Sequence, residues 1–145
     1  MEKENLEAKN VERLSYYTTG IALIYLVIGL LSGFWLVYIK ATEDSIPDLV
    51  VSAHSHFLCM SIIILIVGLA MKNWAREIKE GKFDLSRGRL RSAQASITLL
   101  ALGNIITFAF LSVEMPKPAL VGDILFFIGF LMVAIGWILG GRKIK

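Results

Sequence analysis

The chain contains two histidines, His54 and His56, and both lie within one long apolar stretch. Hydrocarbon offers an imidazole no hydrogen-bond partner, so a functional role is the first hypothesis for histidines placed there. An α-helix turns about 100° per residue, so side chains two positions apart point in nearly opposite directions. A regular helix therefore cannot bring both rings to one metal ion, and the spacing favours two separate sites on opposite faces. The structural alternative is that both rings only hydrogen-bond to serines, to Asn104 or to Asp123.

Haem fits this geometry, because imidazole is a standard axial ligand of haem iron and a helical bundle can enclose the flat macrocycle. The stretch AHSHFL, from Ala53 to Leu58, resembles the H-x-H helix of the haem–copper oxidase and nitric oxide reductase superfamily, in which two histidines bind two haems. It is also similar to small four-helix membrane proteins in which H-[ST]-H begins one span. The resemblance covers one span and implies haem b with His54 and His56 as iron ligands. Copper-binding histidines are missing, so the chain is not predicted to be an enzyme on its own.

One chain has too few suitably placed histidines to supply both iron ligands of a haem, which predicts an assembly of two or more chains. A haem held by two histidines needs one imidazole on each side of the iron, whereas His54 and His56 project from opposite faces of one helix. A homodimer would pair His54 or His56 with its copy across a two-fold axis. Met60 follows His56 by one turn on the same helix and cannot reach the far side of the iron. Lys40 and Lys117, at the predicted membrane boundary, are candidates to pair with haem propionates.

Other polar residues are predicted at a similar depth, in the outer half of the spans. Asp123 and Asn104 are the most informative, with Thr107 and Ser32 nearby in depth. Two alternatives to a haem protein follow from this polar layer. One is a small transporter that uses both histidines with Asp123, since histidine titrates near neutral pH. The other is a cofactor-free accessory or assembly subunit of a larger membrane complex.

The elements that must position these residues are membrane-spanning helices. Hydrophobic residues make up 56% of the chain and charged residues 19%, and the mean hydropathy is +0.67. About 20 apolar residues span a bilayer as a helix. The sequence therefore predicts an all-α, up-down-up-down four-helix bundle as one domain, 1–145, with spans at about 17–39, 49–71, 93–113 and 119–139. The single cysteine, Cys59, excludes an intrachain disulfide and is predicted to be a small buried hydrophobe.

The positive charges predict how the bundle is oriented. Thirteen of the fifteen lysines and arginines lie in the amino-terminal tail, the connection between spans two and three, or the carboxyl end. Only Lys40 and Lys117 lie on the opposite side. By the positive-inside rule both termini are cytoplasmic, in a multi-pass protein of the cell membrane. The net charge of +3 is explained by this orientation and does not indicate nucleic-acid binding.

Glycines predict where helices approach closely. Gly122, Gly129, Gly136 and Gly140 fall along one stripe of the fourth span, and Gly29 and Gly33 form a small-xxx-small pair in the first. In lipid, close backbone approach is a main driving force for helix association. We expect ordinary helix packing at these stripes, with a surface facing a cofactor or a second copy as the alternative.

Overall fold

The computed structural model describes the backbone of residues 2–42, 46–82 and 87–141, and the side chains of 6–42, 46–82 and 90–139. Four helices make up almost all of this part of the chain: α1 (Glu2–Thr42), α2 (Asp48–Lys79), α3 (Arg87–Ser112) and α4 (Pro116–Gly141). They run up and down in chain order. The predicted all-α four-helix bundle is confirmed.

The bundle has two different ends. The α1–α2 and α3–α4 connections lie at one, which we call the turn end; the start of α1, the α2–α3 connection and the end of α4 lie at the other, the terminal end. At the terminal end α2 ends at Lys79, and the chain turns at Gly81, whose φ of +71° favours glycine. Two of the last carbonyls of α2 accept hydrogen bonds from this turn: Gly81 N donates to Ile78 O, and Lys82 N donates to Glu77 O. The Lys82 ammonium, hydrogen-bonded to the Glu80 carboxylate at 2.7 Å, lowers the pKa of Glu80.

All four helices are long and apolar enough to cross a membrane. Their outward surfaces carry large apolar side chains, such as Leu31, Phe34 and Phe127, which are 61%, 72% and 64% exposed. Lipid covers such surfaces favourably, and a helix satisfies its own backbone hydrogen bonds within the hydrocarbon. The chain is therefore a multi-pass protein associated with a lipid bilayer.

α1 and α2 form a hairpin longer than a membrane span. The polar segment before the first predicted span is not a separate tail, because α1 continues through it as one helix. There Val11 and Ser15 are buried, and the Ser15 hydroxyl donates to the Gly68 carbonyl of α2 at 2.8 Å. Trp74 and Ile78 of α2 are each 2% exposed at this end. The α1–α2 pair thus keeps an apolar contact beyond the predicted span.

The core is organised around α2, which packs against α1 on one side and α3 on another. Phe57, Ile64, Met71 and Ile78 recur every seven residues along α2 and are all 2% exposed or less. Seven residues are close to two helical turns, so these side chains form one buried stripe. α3 and α4 form the second close hairpin. The fold is therefore two hairpins that meet mainly through α2 and α3.

The α3–α4 hairpin depends on the close approach of glycine backbones. A methyl group at Gly103 would lie 2.6 Å from both the Gly122 carbonyl oxygen and the Phe126 nitrogen, and one at Gly129 would lie 2.8 Å from the Ser96 carbonyl oxygen. The glycine stripe of the fourth span therefore packs as expected at Gly122 and Gly129. Its α3 counterpart, Gly103, was not singled out from the sequence.

The stripe ends before the terminal end of the bundle. A methyl group at Gly136 would meet nothing within 4 Å, so the prediction of close approach is wrong at this position. Gly140 lies outside the residues whose surroundings the structure describes.

Gly103→Ala should destabilise the bundle. The atoms in its way belong to the α4 backbone, so α3 and α4 must move apart, at a cost of about 1–3 kcal/mol for overpacking. Unfolding of the purified protein in detergent, followed by circular dichroism, measures the loss. Gly136→Ala is the matched control and should leave the unfolding midpoint unchanged or slightly raised. Equal effects of the two changes would contradict the close-approach interpretation.

Candidate functional site

His54 lies near the turn end of α2 and faces α1. Its Nδ1 is 3.0 Å from the Ser32 Oγ, and that hydroxyl lies 2.8 Å from the Gly29 carbonyl oxygen. A carbonyl only accepts, so the single hydroxyl hydrogen of Ser32 is donated to Gly29. Nδ1 of His54 must then carry the ring hydrogen and donate it to Ser32. In the neutral ring this arrangement leaves the lone pair on Nε2.

The backbone of α1 lies directly against the His54 ring. A methyl group at Gly33 would be 2.8 Å from Cε1 and 3.1 Å from Nε2 of His54. Glycine at this position therefore makes room for the imidazole between α1 and α2. In this packing His54 contacts α1, so a haem at its Nε2 would meet the α1 backbone near Gly33. The role of His54 as an iron ligand stays a prediction.

His56 is exposed and points to a different side of α2. Its Nδ1 lies 3.1 Å from the Ser52 carbonyl oxygen and 3.3 Å from the Ser52 hydroxyl, both one turn earlier on the same helix. The carbonyl can only accept, so a hydrogen on Nδ1 makes this bond, and in the neutral ring the lone pair is then on Nε2. Among the described residues, the hydrogen bonds of His56 stay within α2 and reach no other helix.

A small polar surface surrounds this histidine. Ser55 and Cys59 are exposed beside it, and Ser52 is partly exposed one turn away. We call Ser52, Ser55, His56 and Cys59 the histidine face. The prediction that Cys59 is buried is wrong: its thiol is free and exposed on this surface. Polar groups within a membrane span rarely face lipid, so the histidine face is a candidate site for a cofactor or a partner.

Asn104 joins α3 to α2 and is completely buried. Its Nδ2 donates to the Ser61 Oγ at 3.0 Å and lies 3.5 Å from the Phe57 carbonyl oxygen. Its Oδ1 has no hydrogen-bond partner within the described part of the chain. These contacts give Asn104 a structural role between two helices, away from both histidines.

Asp123 joins α4 to α3. Its Oδ1 accepts the Thr107 hydroxyl at 3.0 Å, and Thr107 is also 3.4 Å from the Ala119 carbonyl oxygen. Asp123 is half-buried, whereas Thr107 is 1% exposed.

The predicted polar layer therefore separates into helix-to-helix contacts. His54 with Ser32 links α1 and α2, Asn104 with Ser61 links α2 and α3, and Asp123 with Thr107 links α3 and α4. Ser61, the partner of Asn104, was missed because a serine in an apolar helix usually bonds its own preceding turn. Within the described residues, no three His, Cys, Asp or Glu side chains come together to hold a metal ion.

Lys40 and Lys117 are exposed at the turn end, in the last turn of α1 and near the start of α4. This is the end of the bundle nearest the histidine face. Their pairing with haem propionates stays a prediction.

Together the fold and the site define the class: an integral membrane four-helix bundle with one histidine packed between helices and one facing outward. No family model, curated protein sequence or solved structure matches this chain. The resemblance of the AHSHFL stretch to haem-binding helices therefore rests on those residues alone.

The hydrogen bond between His54 and Ser32 should couple the two residues in stability. In a double-mutant cycle of His54→Ala and Ser32→Ala, we expect a coupling of about 0.6 kcal/mol, typical of hydrogen bonds between membrane helices. Reversible unfolding in mixed micelles gives the four free energies. Ser55→Ala combined with His54→Ala is the control, since the Ser55 hydroxyl bonds Val51 of its own helix. Additivity in the His54 and Ser32 pair would show that the contact has no energetic role.

Proposed function

We propose that this protein is a membrane-bound haem b protein, with His56 as an iron ligand. It would serve electron transfer or act as a small subunit of a respiratory complex. The observation that carries the proposal is an imidazole that is exposed within a span and, among the described residues, has hydrogen bonds only to its own helix. His54 is a poorer candidate, because α1 already occupies the space in front of its Nε2.

The surroundings of His56 fit a metal ligand. Histidines that bind metals usually donate their other ring hydrogen to a carbonyl or carboxylate, which selects the tautomer, orients the ring and raises its basicity. The Ser52 carbonyl takes this role here by accepting from Nδ1 at 3.1 Å. Ser52 thus holds the proton at Nδ1 and leaves Nε2 for the iron. A bound haem supplies one-electron chemistry.

The second axial ligand would come from another chain, because the histidine face offers one imidazole. A homodimer with its two-fold axis along the membrane normal would place two copies of His56 opposite each other. Ser55 and Cys59, four residues apart, are small side chains that leave space beside the ring for a flat macrocycle. A histidine from another subunit of a larger membrane complex would complete the site in the same way.

The orientation that we propose places the terminal end in the cytoplasm of a cell and the turn end outside. It is supported by the thirteen basic residues at the terminal end and by only Lys40 and Lys117 at the other. The histidine face then lies in the outer half of the membrane. Lys40 and Lys117 would be on the side from which haem propionates extend.

The two alternative functions make different use of these residues. A cofactor-free accessory subunit would also cover the histidine face, but with a partner's side chains and without haem. A transporter that uses both histidines and Asp123 needs them along one path. Its support is weaker, because His54 bonds to α1, Asp123 bonds to α3 and His56 faces outward.

Protein purified from haem-replete cells should show a Soret band that shifts on reduction with dithionite. His56→Ala should abolish the band because it removes the iron ligand. His54→Ala is the matched control, two residues away, and should keep the band while lowering stability. A colourless wild-type protein, or loss of the band only in His54→Ala, would refute the assignment of His56.

The proposed dimer can be tested through the only cysteine. Cys59 follows His56 by one turn on the exposed face, so a two-fold axis near His56 places two Cys59 residues on the two sides of the haem. The haem keeps their Cα atoms beyond the distance of about 7 Å that a disulfide requires, so a bismaleimide with a spacer long enough to reach across it is the cross-linker. Treatment of membranes with this reagent should give a covalent dimer, which Cys59→Ser should abolish. The double change Cys59→Ser, Phe127→Cys puts a thiol on the lipid-facing surface of α4 and should give none. Equal cross-linking from both positions would indicate random collision and contradict the interface.

A further inference from the structure

An apolar groove runs between α2 and α4 toward the terminal end. It has a volume of about 430 Å³, within the usual range of ligand sites. Its two walls include Ile66, Val67 and Ala70 from α2 and Phe130, Ala134 and Trp137 from α4. The groove is open because α2 packs mainly on α1 and α3, whereas α4 packs mainly on α3. At its terminal end the rings of Trp74 and Trp137 come together, with centroids 5.0 Å apart.

Asp123 lies on the α4 face that lines this groove. It precedes Phe130 by seven residues and Ala134 by eleven, and both spacings are close to whole numbers of helical turns. The carboxylate therefore shares a face with the groove lining and is displaced by about 10 Å toward the turn end, at about 1.5 Å per residue. Its Oδ1 accepts the Thr107 hydroxyl, and the described residues provide no hydrogen bond to Oδ2.

The groove lining is apolar and Asp123 lies beyond it on the same side of α4, so a ligand that fills the groove and reaches Asp123 is of a particular kind. The carboxylate accepts hydrogen bonds, so the head of the ligand must present an O–H or N–H donor. Asp123 also lies seven residues inside α4, about 10 Å below the helix start at about 1.5 Å per residue. A phospholipid phosphate would have to leave the membrane surface and lose its hydration to reach this depth. A small uncharged head with hydroxyl groups meets neither obstacle.

We propose that this groove binds an isoprenoid quinol. Its tail lies along Ile66, Ala70, Phe130 and Ala134, and one head hydroxyl donates to the Asp123 carboxylate, which Thr107 orients. This site goes beyond the proposed haem function and does not depend on it, because neither Asp123 nor the groove lining binds the iron.

Binding is tested with the full chain in nanodiscs of dimyristoylphosphatidylcholine, where acyl chains already compete for the groove. The probe is decylubiquinol, a benzoquinol with a ten-carbon tail, kept reduced and measured as the excess retained over empty discs. We expect saturable binding that Asp123→Ala weakens about tenfold or more, as for a lost hydrogen bond to a charged group. Ala134→Phe should abolish it by filling the groove. Leu131→Phe, on an exposed position of α4 outside the groove lining, is the matched control and should bind normally.

The same titration in His56→Ala separates this site from the haem proposal. Retained quinol binding in that variant supports the groove whether or not the wild-type protein carries haem. Loss of binding there would place the head at His56 and overturn the assignment to Asp123. Binding that is non-saturable, or unchanged in both Asp123→Ala and Ala134→Phe, would show that the groove holds only acyl chains and would also overturn it.

Discussion

The constraint on which the structure depends is that hydrocarbon offers no partner to a polar group. Each neighbouring pair of helices meets this constraint with one hydrogen bond between side chains near the turn end: His54 with Ser32, Asn104 with Ser61, and Asp123 with Thr107. Once these pairs are made, His56 is left on the outside with hydrogen bonds only to its own helix. This difference is why His56, and not His54, is the histidine that we propose as an iron ligand.

Close approach of the helix backbones is the second interaction that holds the helices together. A helix gains little hydrophobic free energy when it exchanges lipid contacts for contacts with another helix, so association depends on close packing of the backbones. Glycine permits this close packing at Gly103 and Gly122. The same principle operates at Gly33, where the missing side chain lets α1 cover the His54 ring. Because α3 and α4 are drawn together in this way, α4 stands apart from α2 over much of its length. The apolar groove is thus a consequence of where the glycines lie.

The proposed haem and quinol sites use different residues of the same region. His56 is exposed on α2, fourteen residues before Ala70 of the groove lining, whereas Asp123 is on the α4 side of the groove. Both lie in the half of the bundle nearest the turn end.

The sequence by itself determined the class, the number of helices and the projection of His54 and His56 to different sides, because these follow from local hydropathy and the 3.6-residue period. It also indicated close packing at Gly122 and Gly129. Only the tertiary structure decided that His54 rather than His56 packs on α1, that the polar layer divides into pairs, that Gly103 faces Gly122, and that Cys59 is exposed. These depend on the rotation of each helix about its axis and on which neighbours it meets. Such long-range contacts are set by all four helices together, and a single apolar span carries no signal for them.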